Sequence, residues 1–293
     1  MRGTGTQSDP YIIENFADLL QINGGIGTYY KLGTDIDAND SPYAETGWQS
    51  VGINCTELDG DNHTIRNITI INTSVSELKT AFSITAQSAF RLCNLNLENV
   101  YLNGGKSCIF QKNNNSSATF YRVNVAAKAL QSVASNYTSN LSLLIYSQVG
   151  ITIENSCINC NLHSLCTVPL VRGSLVNCHI KYDIEFTTLG SDSKLFATDK
   201  LMNTAAFSNL TGKGASVDVY AASEIYNSYF VMPTMTNIRS FKTDNAVKTV
   251  SFYDADEAPE SVVFSANLNA LTTQQCKSAD YLRSIGFLAE GLV

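Results

Sequence analysis

LDGDNHTIRNITIINT, residues 58–73, is the stretch that decides the fold. It opens on Asp59-Gly60-Asp61-Asn62, residue types that accept a left-handed backbone or bond their own main chain. It continues with β-branched residues set among polar ones, Ile65, Asn67, Ile68 and Ile70. That pattern predicts a tight turn feeding a strand. The strand half then recurs as an Asn between apolar positions: Arg66-Asn67-Ile68, Cys93-Asn94-Leu95, Val123-Asn124-Val125, Val176-Asn177-Cys178 and Ser208-Asn209-Leu210, with a looser copy at Glu154-Asn155-Ser156. The steps between these Asn residues are 27, 30, 31, 22 and 32 positions. Such steps fit the coils of a solenoid with loops of varied length and are too irregular for a strict repeat.

The expected fold is therefore all-β, a right-handed parallel β-helix. No single coil can bury its apolar face, so stacking of successive coils makes the core. An Asn at each bend would pair with the Asn of the next coil, so Asn67, Asn94, Asn124, Asn155, Asn177 and Asn209 are expected to form a ladder beside the Asp59-Gly60 turn. An antiparallel β-sandwich shares the short strands and turns, but hairpin signatures are scarce here.

Composition narrows the function classes. Hydrophobic residues make up 44% and charged residues only 15%, the balance of a β-rich protein with polar, uncharged surfaces. A net charge of -7 without a basic cluster argues against nucleic acid as a partner. No apolar h-region follows Met1, and no run approaches the roughly 18 apolar residues of a membrane span, so the expectation is a soluble chain without an encoded export signal. The eight cysteines are too few for a disulfide scaffold in a chain this long, and free buried thiols are expected.

In chain order, Gly3 to Ile13 is a glycine-rich lead into an extended segment. Glu14 to Asn23 sets Phe16, Leu19, Leu20 and Ile22 near one face at helical spacing and is stopped by Asn23-Gly24-Gly25, which predicts an amphipathic capping helix. The organisation expected is a cap over residues 1–50, coils over 51–265, and a closing segment over 266–293. In that last segment Thr272 or Thr273 would cap a short helix over Gln274 to Ser284. The tail is apolar for a terminus, so Phe287, Leu288, Leu292 and Val293 are candidate docking residues.

Residues 3–73, with GTGTQSDPYII, DLLQIN, YYKLGTDID, Trp48 and LDGDNHTIRNITI in that order, resemble the amino-terminal part of bacterial and phage surface β-helix proteins of the GLUG-repeat kind. Those carry a lead like GTxxDPYxI, a short helix, YYKLxxDID and LDGxGHTIxNL in the same succession. The resemblance covers about a quarter of the chain. It implies a non-enzymatic virion structural protein, a capsid decoration or head-fibre subunit on the virion surface. The partners implied are capsid or other virion proteins, further copies of the chain such as a trimer, and host or mucosal glycans. Neither nucleic acid nor membrane is among them.

Several residue groups could carry chemistry. Cys157, Cys160, His163, Cys166, Cys178 and His179 are of zinc-ligand type, although period-two alternation sets Cys157 and Cys160 on opposite faces unless a turn intervenes. Polysaccharide lyases and hydrolases need clustered or paired acids, for which Asp59 and Asp61, Asp183 and Glu185, or Asp254, Asp256 and Glu257 are available. Asp59 and Asp61 flank Gly60 and read as turn residues; packed thiols explain the cysteines. No catalytic residue, metal ligand or cofactor is assigned. The enzymatic alternative is a tailspike depolymerase or secreted lyase, and a bacterial adhesin module is a third reading.

Overall fold

A computed structural model describes residues 1–74, 77–112, 116–131, 144–147, 151–164, 171–176 and 178–186, and beyond them a series of strands between Phe196 and Gln275. The protein is almost wholly β and its pairing is almost entirely parallel. The chain returns again and again to lie beside its previous pass. Tyr11–Ile13 pairs with Gly25–Leu32, that with Cys55–Asp59, that with Phe90–Gly104, and that with Ala118–Gln131. Ile151–Glu154, Ser174–Val176, Lys200–Met202 and Glu224–Tyr226 follow. Parallel neighbours need a long return path, which explains why consecutive strands up to Glu224–Tyr226 do not pair as hairpins.

Register turns this into columns. Tyr30, Leu58, Leu92, Phe120, Ile153 and Leu175 lie one above another, each at most 3% exposed. Their chain steps are 28, 34, 28, 33 and 22, so the spacing in space is constant while the returns vary. A second column holds Ile36, Ile65, Leu97, Val125, Ile158 and Ile180, all buried. Val51–Ile53, Lys79–Ile84, Ser107–Lys112 and Ile145–Ser147 form a separate four-stranded parallel sheet that brings Phe82 and Phe110 to the same core. Rings run in contact through that core, Phe16 to Trp48 at 5.1 Å, Trp48 to Phe82 at 6.0 Å, Phe82 to Phe110 at 5.3 Å and Phe110 to Phe120 at 4.8 Å. Trp48 Nε1 donates to the Ala81 carbonyl at 2.9 Å, which satisfies its polar end.

Left-handed residues make the bends. The strand Phe90–Gly104 passes two of them, Asn94 and Asn99, both at φ 51°. Asn67, Asn155 and Arg122 bend other passes at φ 63°, 50° and 53°. Asn tolerates this region better than other residues with a Cβ. The predicted turn after Leu58 is present. Asp61 and Asn62 have φ 48° and 66°, and the Asp61 amide donates to Asp59 Oδ1 at 2.9 Å.

At the amino-terminal end the ten-residue helix expected from the sequence is a single turn, Phe16–Leu19, with Asn15 accepting from the Asp18 amide. Beyond Leu20 the backbone takes other partners: the Gln21 amide donates to the Asp18 carbonyl and the Ile22 carbonyl accepts from the Asn54 amide, while Phe16, Leu19 and Ile22 stay buried. An antiparallel bridge from Arg2 to Ile12 covers the outer edge of the first strand. Toward the other end Val250–Asp254, Ser261–Ser265 and Leu271–Gln275 pair antiparallel. Thr272 and Thr273 thus lie within a strand, paired with Phe264 and Val263, in place of the helix cap predicted there. The rest of that helix and the docking candidates Phe287, Leu288, Leu292 and Val293 lie outside the described residues.

Candidate functional site

Strand alternation leaves one side of the large sheet facing outward. Tyr29, Lys31, Glu57, Asp59 and Tyr121 are half-buried and Arg91 is exposed, while Tyr30, Leu58, Leu92 and Phe120 between them point inward. Tyr29, Glu57 and Arg91 stand in register on successive passes, as do Lys31, Asp59, Cys93 and Tyr121. Beside the first passes the lead Gln7–Pro10 and the turn at Asp59–His63 rise on either side of a groove of about 440 Å³, lined also by Tyr29, Lys31 and Glu57.

The carboxylates of this face are engaged. Glu57 pairs with Arg91 Nη1 at 2.8 Å, and Asp61 with Lys31 Nζ at 2.8 Å. Asp59 Oδ1 accepts from the Asp61 amide at 2.9 Å and from Asn94 Nδ2 at 3.0 Å. Asp35 faces His63 Nδ1 at 3.2 Å and accepts from the Thr64 amide at 3.0 Å, while Arg66 Nε reaches Asp37 at 3.0 Å. These contacts shift the ionisable groups in the expected sense. The Thr64 amide holds the Asp35 carboxyl below its ordinary value, and the Asn67 side chain does the same for Asp37. Hydrogen bonds from Lys31 to Asp61 and from Arg91 to Glu57 raise both cations. Acid–base catalysis needs a carboxyl able to exchange its proton with substrate, and partners of this kind oppose it at Asp35 and Asp37.

The Asn residues singled out from sequence divide among three lines. Asn94 and Asn155 fall in register with Gly60 and Arg122, one residue beyond the pairs Asp59–Cys93, Cys93–Tyr121 and Tyr121–Glu154. Asn67 belongs to the next bend, donating through Nδ2 to both Asp37 oxygens at 2.9 and 3.0 Å and accepting from Asn99 Nδ2 at 2.6 Å. Asn124 belongs to a third line. Its Nδ2 donates to Asn96 Oδ1 at 2.9 Å, Asn96 Nδ2 donates to the Asn62 carbonyl at 2.9 Å, and Asn124 Oδ1 accepts from the Cys157 amide at 3.1 Å. Among the described residues these Asn side chains thus join three separate lines, two at left-handed bends and one, through Asn124, within the strand Ala118–Gln131. Asn209 sits opposite Asp183 in a parallel pair, and Asn177 lies outside the described residues.

No family model matches the chain. Halomucin of Haloquadratum walsbyi is 34% identical over 118 residues, which is 35% of this chain and 1% of that protein. The chain thus spans about one hundredth of the length of this curated relative. A solved structure from Bacteroides ovatus, described as a candidate immunoglobulin A1 protease, is 17% identical with a TM-score of 0.47, covering 86% of this chain and 85% of that one. Likeness at that level carries no argument about what the chain does.

Among the described residues no group of three His, Cys, Asp or Glu side chains assembles as a metal site. Cys160 and Cys178 are buried thiols, Cys157 is half-buried, and Cys178 Sγ donates to the Ile153 carbonyl at 3.3 Å. Burial pushes the Cys160 and Cys178 thiols up to about 12, far from the thiolate that metals need. Asp183 and Glu185 lie on the strand His179–Phe186 opposite Asn161 and His163, and Asp254 ends the strand Val250–Asp254; Cys166, Asp256 and Glu257 lie outside the described residues. Sequence reasoning missed Tyr29, Lys31, Glu57, Arg91, Tyr121 and Arg122. The signal was present in the alternation: each is one residue away from an inward column residue or, for Arg122, at a bend, but only the register reveals which passes bring them together.

Proposed function

We propose that the chain is a non-enzymatic surface-display module: a right-handed parallel β-helix that stands out from the particle carrying it, and that this particle is a phage virion, with the chain serving as a capsid decoration or head-fibre subunit. Stacked in-register columns and a continuous aromatic core support a stiff shaft. The observation that carries the non-enzymatic part is the pairing of Glu57, Asp59 and Asp61 on the outward face and of Asp35 and Asp37 past the next bend, each with a cation or an N–H donor as partner. The virion part is supported by the likeness of residues 3–73 to GLUG-type β-helix surface proteins. In this reading residues 1–50 close one end, 51–265 form the shaft and 266–293 dock it, through Phe287, Leu288, Leu292 and Val293, on capsid proteins or on other copies in a trimer.

The test is to purify particles from the source culture and count the chain by quantitative mass spectrometry and density mapping. Many copies at symmetry-related head sites are expected. Absence from particles, or a few copies at a tail tip together with release of reducing ends from a polysaccharide, would overturn the reading in favour of a depolymerase.

A further inference from the structure

The geometry points to an acidic-glycan binding strip on the outward face, running from the groove at Tyr29 and Lys31 across Glu57 and Asp59 to Arg91, Tyr121 and Arg122. This goes beyond the display role and stands whichever particle carries the chain. Its starting point is Arg122. That residue is exposed and holds φ 53° at a bend where the same register position on neighbouring passes is taken by Gly60, Asn94 and Asn155. A long side chain has no conformational advantage there; a left-handed backbone costs it roughly 1–2 kcal/mol, and strain of this kind concentrates at functional positions.

What the arginine gains is a place over Tyr121. Its guanidinium carbon lies 5.2 Å from the Tyr121 ring centroid, and that of Arg91 lies 5.3 Å from the same centroid. Arg91 is neutralised by Glu57 at 2.8 Å, whereas Arg122 has no carboxylate partner among the described residues. The result is one planar donor fork outside any ion pair among the described residues, held beside an aromatic ring with Glu154 in register with Tyr121 on the next pass, and such a fork recognises a carboxylate or sulfate.

The rest of the strip supplies what the neutral part of such a ligand needs. The groove of about 440 Å³ is within the size range of small-ligand sites. Glu57, Asp59 and Asp61 each have lone pairs beyond those already used, which accept sugar hydroxyls, and the exposed part of Tyr29 offers a ring face. From the Lys31 pass to the Tyr121 pass is three strand spacings, or roughly 14 Å, a run of several sugar rings along the stack. The lead Gln7–Pro10 borders the groove at one end of the strip, and the acidic group is read at the other by Arg122.

The experiment is a binding screen of the whole chain against uronate-, sialate- and sulfate-bearing oligosaccharides, each with a neutral counterpart such as its methyl ester, followed by titration of the best ligand. Acidic ligands should bind at least tenfold more tightly than their neutral partners, and binding should weaken with salt. Arg122→Asn, which suits the left-handed bend, should lose at least tenfold in affinity while melting no lower than the parent. Retention of no acidic oligosaccharide, equal binding of the neutral forms, or full affinity in Arg122→Asn would each overturn the inference. None of these results bears on particle location, so this inference and the display reading fail separately.

Discussion

Asn99 Nδ2 donates to Asn67 Oδ1 at 2.6 Å, and both residues hold a left-handed backbone, at φ 51° and 63°, on adjacent passes of the chain. Asn67 in turn donates to both oxygens of Asp37 on the pass before. One residue type therefore makes the bend and ties three passes together. Asn67→Ala removes the hydrogen bonds to a charged group, about 1.5–3 kcal/mol, and adds the cost of Ala in the left-handed region, about 1 kcal/mol. Asn67→Gly removes only the first. Chemical denaturation of both variants should place the Gly form between parent and Ala form; equal losses would assign the whole effect to the side chain.

Gly60 meets its neighbour across the stack with no room to spare. A Cβ there would stand 2.4 Å from the Asn94 carbonyl oxygen and 2.6 Å from Leu95 Cα, both backbone atoms. Gly60→Ala must push adjacent passes apart and should cost about 1–3 kcal/mol or more. Gly52→Ala, where nothing lies within 4 Å of the added atom, is the control and should stay near the parent in the same melting experiment.

The single Trp gives a direct report on the core. Trp48 is 4% exposed and touches Phe16 and Phe82. Phe82→Ala opens a cavity between Trp48 and Phe110 and should destabilise by about 3–5 kcal/mol. The tryptophan emission of the folded variant should also shift to longer wavelength. An unchanged unfolding midpoint would show that the rings are not continuous.

Stability should fall at alkaline pH. Burial raises the thiols of Cys55, Cys93, Cys160 and Cys178 from 9.0 to about 12 and that of Cys157 to about 11. Above pH 9 the unfolded chain loses these protons while the folded chain keeps them, so the folded state binds more protons and its stability declines as pH rises. The contribution is whole below pH 9 and gone above about pH 12, with a slope approaching about 1.4 kcal/mol per pH unit for each thiol. Denaturant midpoints measured from pH 7 to 11 should show this decline, and Cys160→Ala should make it shallower.

Much of the stacking was legible because columns depend on local alternation. The apolar residues at Leu58, Leu92 and Phe120 and the turn at Asp59–Asn62 could be read from the sequence, each from its immediate neighbours. The site was less legible. Arg91, Tyr121 and Arg122 come together with Glu57 only through a register that spans 34 and then 28 residues, and no local pattern reports it. The length of the cap helix was hidden in a similar way, since the Asn54 amide that takes the Ile22 carbonyl lies on a later pass.

The unequal returns between column residues, 28, 34, 28, 33 and 22 positions, have a consequence for how such a chain can change. The spacing of the passes is set by the hydrogen bonds between strands, so length added to a return path leaves the paired strands where they were. A peptide spliced into a return would be anchored between two passes of known register, so that new epitopes can be hung on the sheet without retuning the core.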